Sequence, residues 1–303
     1  MLQPAVRQAD ACDLLGCDFS SSPSSSKLIV LAWGRLTGQV VRLGALERYR
    51  SLADWQARLG TGQWVGAFDL PFGLPRELVQ SQHWPLDWEA CVRHFASCAR
   101  NDLRTQLKAF CDARPAGRKF AHRQTDGPAG SSPSMKWVNP PVAWMLHAGV
   151  TRLLDVGATF PAHQLLSREG QIGAVCDGAA ATVALGSVER VALEGYPGLL
   201  ARELTGGSVS YKSDDRKRQT PERLLVRKHI VTALEQGRSR LGVRLKLSPA
   251  QADVLVADAT GDNLDAVLCL VQAAWASHMR AIGHHNWGLP PDVDSLEGWI
   301  LTA

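Results

Sequence analysis

The segment Thr260-Gly261-Asp262-Asn263-Leu264-Asp265-Ala266-Val267-Leu268-Cys269-Leu270 constrains the fold more than any other stretch of the chain. Two carboxylates stand three residues apart at the start of an apolar helix. Residues at that spacing share a helix face, so Asp262 and Asp265 can point at one spot. The rest of the turn is apolar, which puts that spot beside a core. Acids at a helix N-terminus also serve as caps and dipole partners, and read alone the segment allows that plainer role. The helix is expected to run to about Met279.

Two buried strands end in the same way. Residues 14–19 are apolar apart from Asp18, near the strand's end. Residues 64–70 run into Pro71-Phe72-Gly73-Leu74-Pro75, where prolines stop the strand and leave Asp69 at its exit. Ligands of open sheets bind outside the carboxyl ends of strands, and a carboxylate buried there needs a compensating charge. Residues 190–196 read as a further short strand with Glu194 near its end, and Pro197 follows where a helix can begin. Residues 27–33 and 39–43 read as strands around a turn at 34–38, so the first three strands form a meander. Residues 46–59 carry apolar residues at helical spacing. Residues 172–186 read as short strands or a hairpin around Asp177-Gly178. A helix is expected from Pro221 through Leu234.

Four places therefore supply acids of one character: Asp18, Asp69, Glu194 and the Asp262/Asp265 pair. Clustered carboxylates repel one another unless cations neutralise them. Mg²⁺ and Mn²⁺ prefer such oxygen ligands. Two such ions roughly 3.5–4 Å apart can activate a water and stabilise a leaving oxygen in phosphodiester cleavage.

The ordered set Gly16-Cys17-Asp18-Phe19-Ser20, Phe68-Asp69-Leu70-Pro71-Phe72-Gly73-Leu74-Pro75, Leu193-Glu194-Gly195-Tyr196-Pro197 and Asp262-Asn263-Leu264-Asp265-Ala266 resembles the domain-of-unknown-function 429 family. Arg123-Gln124-Thr125-Asp126, Lys136-Trp137-Val138-Asn139-Pro140-Pro141, Tyr211-Lys212 and Glu297-Gly298-Trp299-Ile300 extend the likeness over most of the chain. That family is regarded as predicted nucleases of the ribonuclease H-like fold. The resemblance implies an α/β fold: a mixed sheet of three antiparallel strands followed by parallel ones, with helices on both faces. It implies a single domain over residues 12–303 with a largely helical insertion at about 76–170, after a lead-in at 1–11. The order of acids is similar to that of Holliday-junction resolvases, which implies Asp18, Asp69, Asp262 and Asp265 as ligands of Mg²⁺ or Mn²⁺. Glu194 is expected as a further ligand or a water-positioning base.

The net charge of +4 permits an anionic partner without demanding one. Lys212, Arg216 and Arg218, in the basic segment 212–228, are candidate phosphate contacts, as are Arg123 and Lys136. The plainer readings are a solvated helix face for the first group and an Arg123–Asp126 pair holding a loop. The ten tryptophans are chiefly core anchors, and His284-His285 reads as a surface loop. The seven cysteines contain no Cys-x-x-Cys pair, so free thiols in a reducing compartment are expected. The first residues lack a basic and then apolar signal pattern, and no run reaches the ~18 apolar residues of a membrane span. A cytoplasmic protein is expected, with no membrane partner. Gly-x-Ser-x-Gly and Walker-type loops are absent. The sequence thus favours a metal-dependent nuclease or phosphodiesterase acting on nucleic acid. A non-catalytic nucleic-acid or protein binding module, or a hydrolase of small phosphorylated metabolites or nucleotides, stands as the alternative.

Overall fold

The computed structural model describes residues 13–164, 172–173, 182–183, 190–207 and 209–303. Its strands are β1 (Asp13–Asp18), β2 (Ile29–Thr37), β3 (Val40–Tyr49), β4 (Trp64–Asp69), β5 (Ile172–Gly173), β6 (Thr182–Val183), β7 (Arg190–Glu194) and β8 (Arg244–Lys246). Among the described residues one mixed sheet runs in the order β7-β4-β1-β2-β3-β8. The pairs β1–β2 and β2–β3 are antiparallel, whereas β4 lies parallel to β1, β7 to β4 and β8 to β3. Strands β5 and β6 form a separate antiparallel pair, as expected for 172–186. The Asp177-Gly178 turn and the lead-in at 1–11 lie outside the described residues.

Two sequence expectations are corrected in the meander. The turn is tighter than 34–38: residues 34–37 stay in β2, past a bulge at Trp33/Gly34, and only Gly38 and Gln39 link the strands. Gly38 adopts φ 60°, a left-handed conformation that favours glycine. Residues 46–49 do not start a helix; they extend β3, pairing Leu46 with Ala32 and Tyr49 with Ile29. Strand pairing overrides the helical spacing there. The helix α1 (Leu52–Leu59) begins only after Ser51, whose hydroxyl accepts from the Asp54 N–H.

Helices cover both faces. On one side lie α1, α2 (Arg76–Ser81), α3 (Trp88–Ser97), α4 (Arg100–Asp112) and α6 (Val142–Asp155), the helical stretch expected from about residue 76, which also includes the single turn α5 (Asp126–Ala129). On the other lie α7 (Pro197–Thr205), α8 (Pro221–Glu235), α9 (Pro249–Ala257) and α10 (Asp262–Ala281). Side chains along a strand alternate between faces. Leu15, Cys17 and Phe68 therefore enter the first core, and Leu14, Ala67 and Leu193 the second. All ten tryptophans are buried in, or packed against, one of these cores. Cys17, Cys91, Cys98, Cys111 and Cys269 are free thiols, and all but Cys98 are buried. Among the described residues no helix is long and apolar enough to cross a membrane.

Helix α10 is buried nearly all round, which explains its near-continuous apolar sequence. It lies directly on β1 at Gly16. A Cβ there would fall 2.0 Å from the Ala266 carbonyl oxygen and 2.1 Å from the Leu270 nitrogen. Only glycine permits this approach. It sets the first turn of α10 over the carboxyl end of β1, which is where the acids are.

Candidate functional site

Asp18 and Asp69 are the last residues of neighbouring parallel strands and are register partners. Register partners share a face, here the α10 face. Asp265 descends onto them from the first turn of α10. One carboxylate oxygen from each of Asp18, Asp69 and Asp265 lies within 4.8 Å of the others. Asp18 is buried, and its Oδ2 has no hydrogen-bond partner. Asp265 is fully buried; Tyr211 Oη donates to its Oδ1 and Lys212 Nζ to its Oδ2. Asp262 stands slightly apart and accepts from Lys27 Nζ at 2.7 Å.

The electrostatics follow from crowding and burial. Burial, then the Asp265 carboxylate, push Asp18 well above the usual carboxylate range. Burial pushes Asp69 up to about 7, against the pull of Lys212. Asp265 is raised by burial even though Lys212 and Tyr211 oppose the shift. Burial favours the neutral form of Lys212, but the surrounding carboxylates outweigh it and hold the ammonium well above its ordinary value. Three acids, one of them with an unpartnered oxygen, thus converge where negative charge is least welcome, a donor set of the kind that hard divalent cations prefer.

Helix α8 supplies the scaffold for Lys212. Arg223 donates to the Lys212 carbonyl, and Arg227 donates to the carbonyls of Tyr211 at 2.7 Å and Val256 at 2.8 Å. Arg223 and Arg227 of the basic segment therefore position Tyr211-Lys212, whereas Arg216, Lys217, Arg218 and Lys228 face solvent. Arg216 and Arg218 lie exposed on a single 3₁₀ turn, with Asp215 3.7 Å from Arg218. Lys136 sits over the Phe120 ring. His284 and His285 are exposed, and Arg280 donates to His285 Nδ1 at 2.9 Å.

Glu194 is placed differently from the three aspartates. It pairs in register with Phe68, not Asp69, so the pleat turns it to the opposite face. There Arg123 grips it with two bonds of 2.7 and 2.8 Å, and the Phe72 N–H donates to it at 2.9 Å. Arg123 also holds Asp126, at 3.0 and 3.1 Å. Arg123 is itself buried, so the Arg–Asp pair holds the loop from inside. The tail closes over this network: Glu297 accepts from the backbone N–H groups of Arg76 and Gln124, each at 2.8 Å.

A family model described as "Protein of unknown function (DUF429)" matches residues 16–285. The chain belongs to this family. The matched span includes all five acids as well as Lys27, Tyr211 and Lys212, and it ends before Glu297. No curated protein and no solved structure matches the chain.

Lys27 and Asp258 are the site residues that sequence reasoning missed. Lys27 precedes β2, whose antiparallel register places Val30 opposite Asp18; the pairing was readable, its ionic partner was not. Asp258 caps α10: its carboxylate accepts from the N–H groups of Thr260 and Gly261 at 3.2 Å and of Asn263 at 2.9 Å. The plainer capping role thus falls to Asp258, and neither acid of the Asp262/Asp265 pair is the N-cap.

Proposed function

We propose that this protein is a divalent-metal-dependent phosphodiesterase of the nuclease type, built on a ribonuclease H-like sheet. The observation that carries the reading is the buried Asp18, whose Oδ2 has no hydrogen-bond partner and which offers one carboxylate oxygen within 4.8 Å of oxygens of Asp69 and Asp265. The strand order, with three antiparallel strands and then β4 and β7 parallel to β1, supports the fold assignment. Asp18, Asp69 and Asp265 would hold Mg²⁺ or Mn²⁺, with Asp262 at the rim of the site. A bound ion supplies Lewis acidity toward a phosphoryl oxygen and favours ionisation of water. The chain's own residues orient the ligands: Tyr211 and Lys212 fix Asp265, and Lys27 fixes Asp262. Glu194 and Arg123 position the β4 exit from the other face, and they leave phosphate contacts to Arg216, Arg218 and the partly exposed lysines.

A second reading, hydrolysis of a small phosphorylated metabolite or nucleotide, draws on the cleft beside Asp69. It has a volume of about 330 Å³ and is lined by Tyr196, Arg202, Ser210, Tyr211 and Lys212, near the lower end of small-molecule sites. One assay separates the readings. The intact protein is incubated with Mg²⁺ or Mn²⁺ and with single-stranded, duplex and branched nucleic acids, or with nucleotides and sugar phosphates. The expected result is cleavage of a polymer that Asp18→Asn abolishes while binding persists. Turnover of the small substrates alone favours the second reading. No turnover of anything, together with no metal binding by calorimetry, rejects both and leaves a binding module.

A further inference from the structure

The four aspartates around the cluster come with two ammonium groups of their own. Lys212 Nζ donates to Asp265 Oδ2, and Lys27 Nζ donates to Asp262 Oδ1 at 2.7 Å. Asp18 and Asp69 feel Lys212, and Lys27 feels Asp18. Asp214, 3.8 Å from Lys27 Nζ, is exposed and screened by solvent; the remaining four carboxylates facing two ammonium groups leave two negative charges, which a single divalent cation cancels. Two such ions would leave the same partly enclosed space with an excess of positive charge, which like-charge repulsion disfavours.

Lys212 is built into this place. Arg223 and Arg227 grip the carbonyls of Lys212 and Tyr211. Ser213 N–H donates to the Ala259 carbonyl at 3.1 Å and ties the loop to the turn before α10. Gly261 has φ 80°, and a Cβ there would lie 2.7 Å from the Lys212 Cβ, so the start of α10 is shaped around the lysine stem. Both Asp265 oxygens already have protein donors, whereas Asp18 Oδ2 is buried without one. The unfilled hydrogen-bonding capacity therefore belongs to Asp18, and Asp265 is already served by Tyr211 and Lys212.

The geometry points to a site for one divalent cation, centred on Asp18 and Asp69 and flanked by Asp265, in which the Lys212 ammonium takes the place of a second ion. The inference rests on the metal-site reading proposed above. It makes Lys212 a positioning and charge-balancing residue for the ion.

Titration of the intact protein with Mn²⁺ alone, followed by calorimetry and by electron paramagnetic resonance, tests it. The wild type is expected to bind one ion per chain and to show the spectrum of an isolated ion, not of an exchange-coupled pair. Lys212→Met keeps the stem and removes the charge. It is expected to admit a second ion or to tighten the first at least about tenfold, since a like charge a few ångströms away is gone. Two ions in the wild type overturn the inference and leave the metal-site reading standing, as does a variant that matches the wild type in number and affinity. Absence of Mn²⁺ binding in the wild type overturns both. If Lys212→Met fails to fold, the wild-type stoichiometry and spectrum decide.

Discussion

At the carboxyl edge of the sheet, Glu194 and Asp18 are 5% and 6% exposed, yet their surroundings have opposite characters. Glu194, on the α2–α6 face, is matched by Arg123 and the Phe72 N–H, and the tail around Glu297 seals the network. Asp18, on the α10 face, shares its space with two more carboxylates and keeps an oxygen without a donor. Burial of a carboxylate is therefore no guide to its role; what distinguishes the two is whether its hydrogen-bonding capacity is filled. A filled network holds structure, and an unfilled one has room for something that is not protein. One-residue parity separates them, because the pleat sends Asp69 and Phe68 to different faces and Glu194 follows Phe68.

The largest expected effect comes from opening the closed side. Arg123→Ala strands Glu194 and Asp126 in the interior, and removing one partner of a buried ionic network costs about 3–5 kcal/mol. Urea unfolding is expected to show that loss, and if the variant folds its Mn²⁺ affinity should hardly change. Stability within about 1 kcal/mol of wild type would mean that the network is less closed than its geometry. The open side should respond in the reverse way. Asp18→Asn replaces a crowded carboxylate by a neutral amide, so the metal-free protein is expected to melt at the same or a higher temperature. Its Mn²⁺ affinity should fall at least about a hundredfold, because a ligand atom is lost. A variant that binds Mn²⁺ normally would break the contrast.

A smaller effect concerns pH. Asp69 is pushed up to about 7, above its ordinary value of 3.8, so between these limits the folded state holds a proton that the unfolded chain has released. Stability then falls as pH rises through this window, by the linkage between proton uptake and unfolding. The contribution of Asp69 is present below about pH 4 and is lost by about pH 7. Thermal melts of the metal-free protein should show this decline, Asp69→Asn should lessen it while the raised Asp18 and Asp265 retain a part, and Mn²⁺ should offset it most at the higher pH. A decline undiminished in Asp69→Asn would assign the effect wholly to those other groups.

Much of this edge was legible in the chain, and the illegible part has a physical cause. An apolar strand with one acid at its end leaves few choices, and Asp18 and Asp69 fall where residues 14–19 and 64–70 implied. The helix begins at Asp262, as its pattern indicated. Parity could not be read for Glu194, because strands buried on both faces lack the polar alternation that would reveal it. The counter-charges were equally hidden: Lys27 and Lys212 lie 235 and 53 residues from their carboxylates, and only the tertiary fold selects the pairing. Strand β8 is too short for a periodic signal. Helix α9 was readable from Ser248-Pro249-Ala250-Gln251, since Ser248 and Gln251 form a reciprocal capping box with proline in the first turn.

The smallest predicted effect separates capping from ligation within the segment 258–265. Asp258 satisfies three backbone N–H groups around the start of α10, and its side chain also accepts from the Asn263 amide at 2.7 Å. Asp262 and Asp265 make no such cap; their charges go to Lys27 and to Lys212 with Tyr211. Asp258→Ala is therefore expected to cost about 1 kcal/mol, up to about 2, as loss of an N-cap does. The helix remains anchored by its buried face and by its packing on Gly16, so the Mn²⁺ stoichiometry should be unchanged. Asp265→Asn should do the opposite, weakening Mn²⁺ binding in a protein whose α10 cap is intact, though less than Asp18→Asn does, since both Asp265 oxygens already have protein donors. Were Asp258→Ala to abolish Mn²⁺ binding without loss of stability, the cap would belong to the open side of the molecule, and the division between filled and unfilled acids would have to be redrawn at α10.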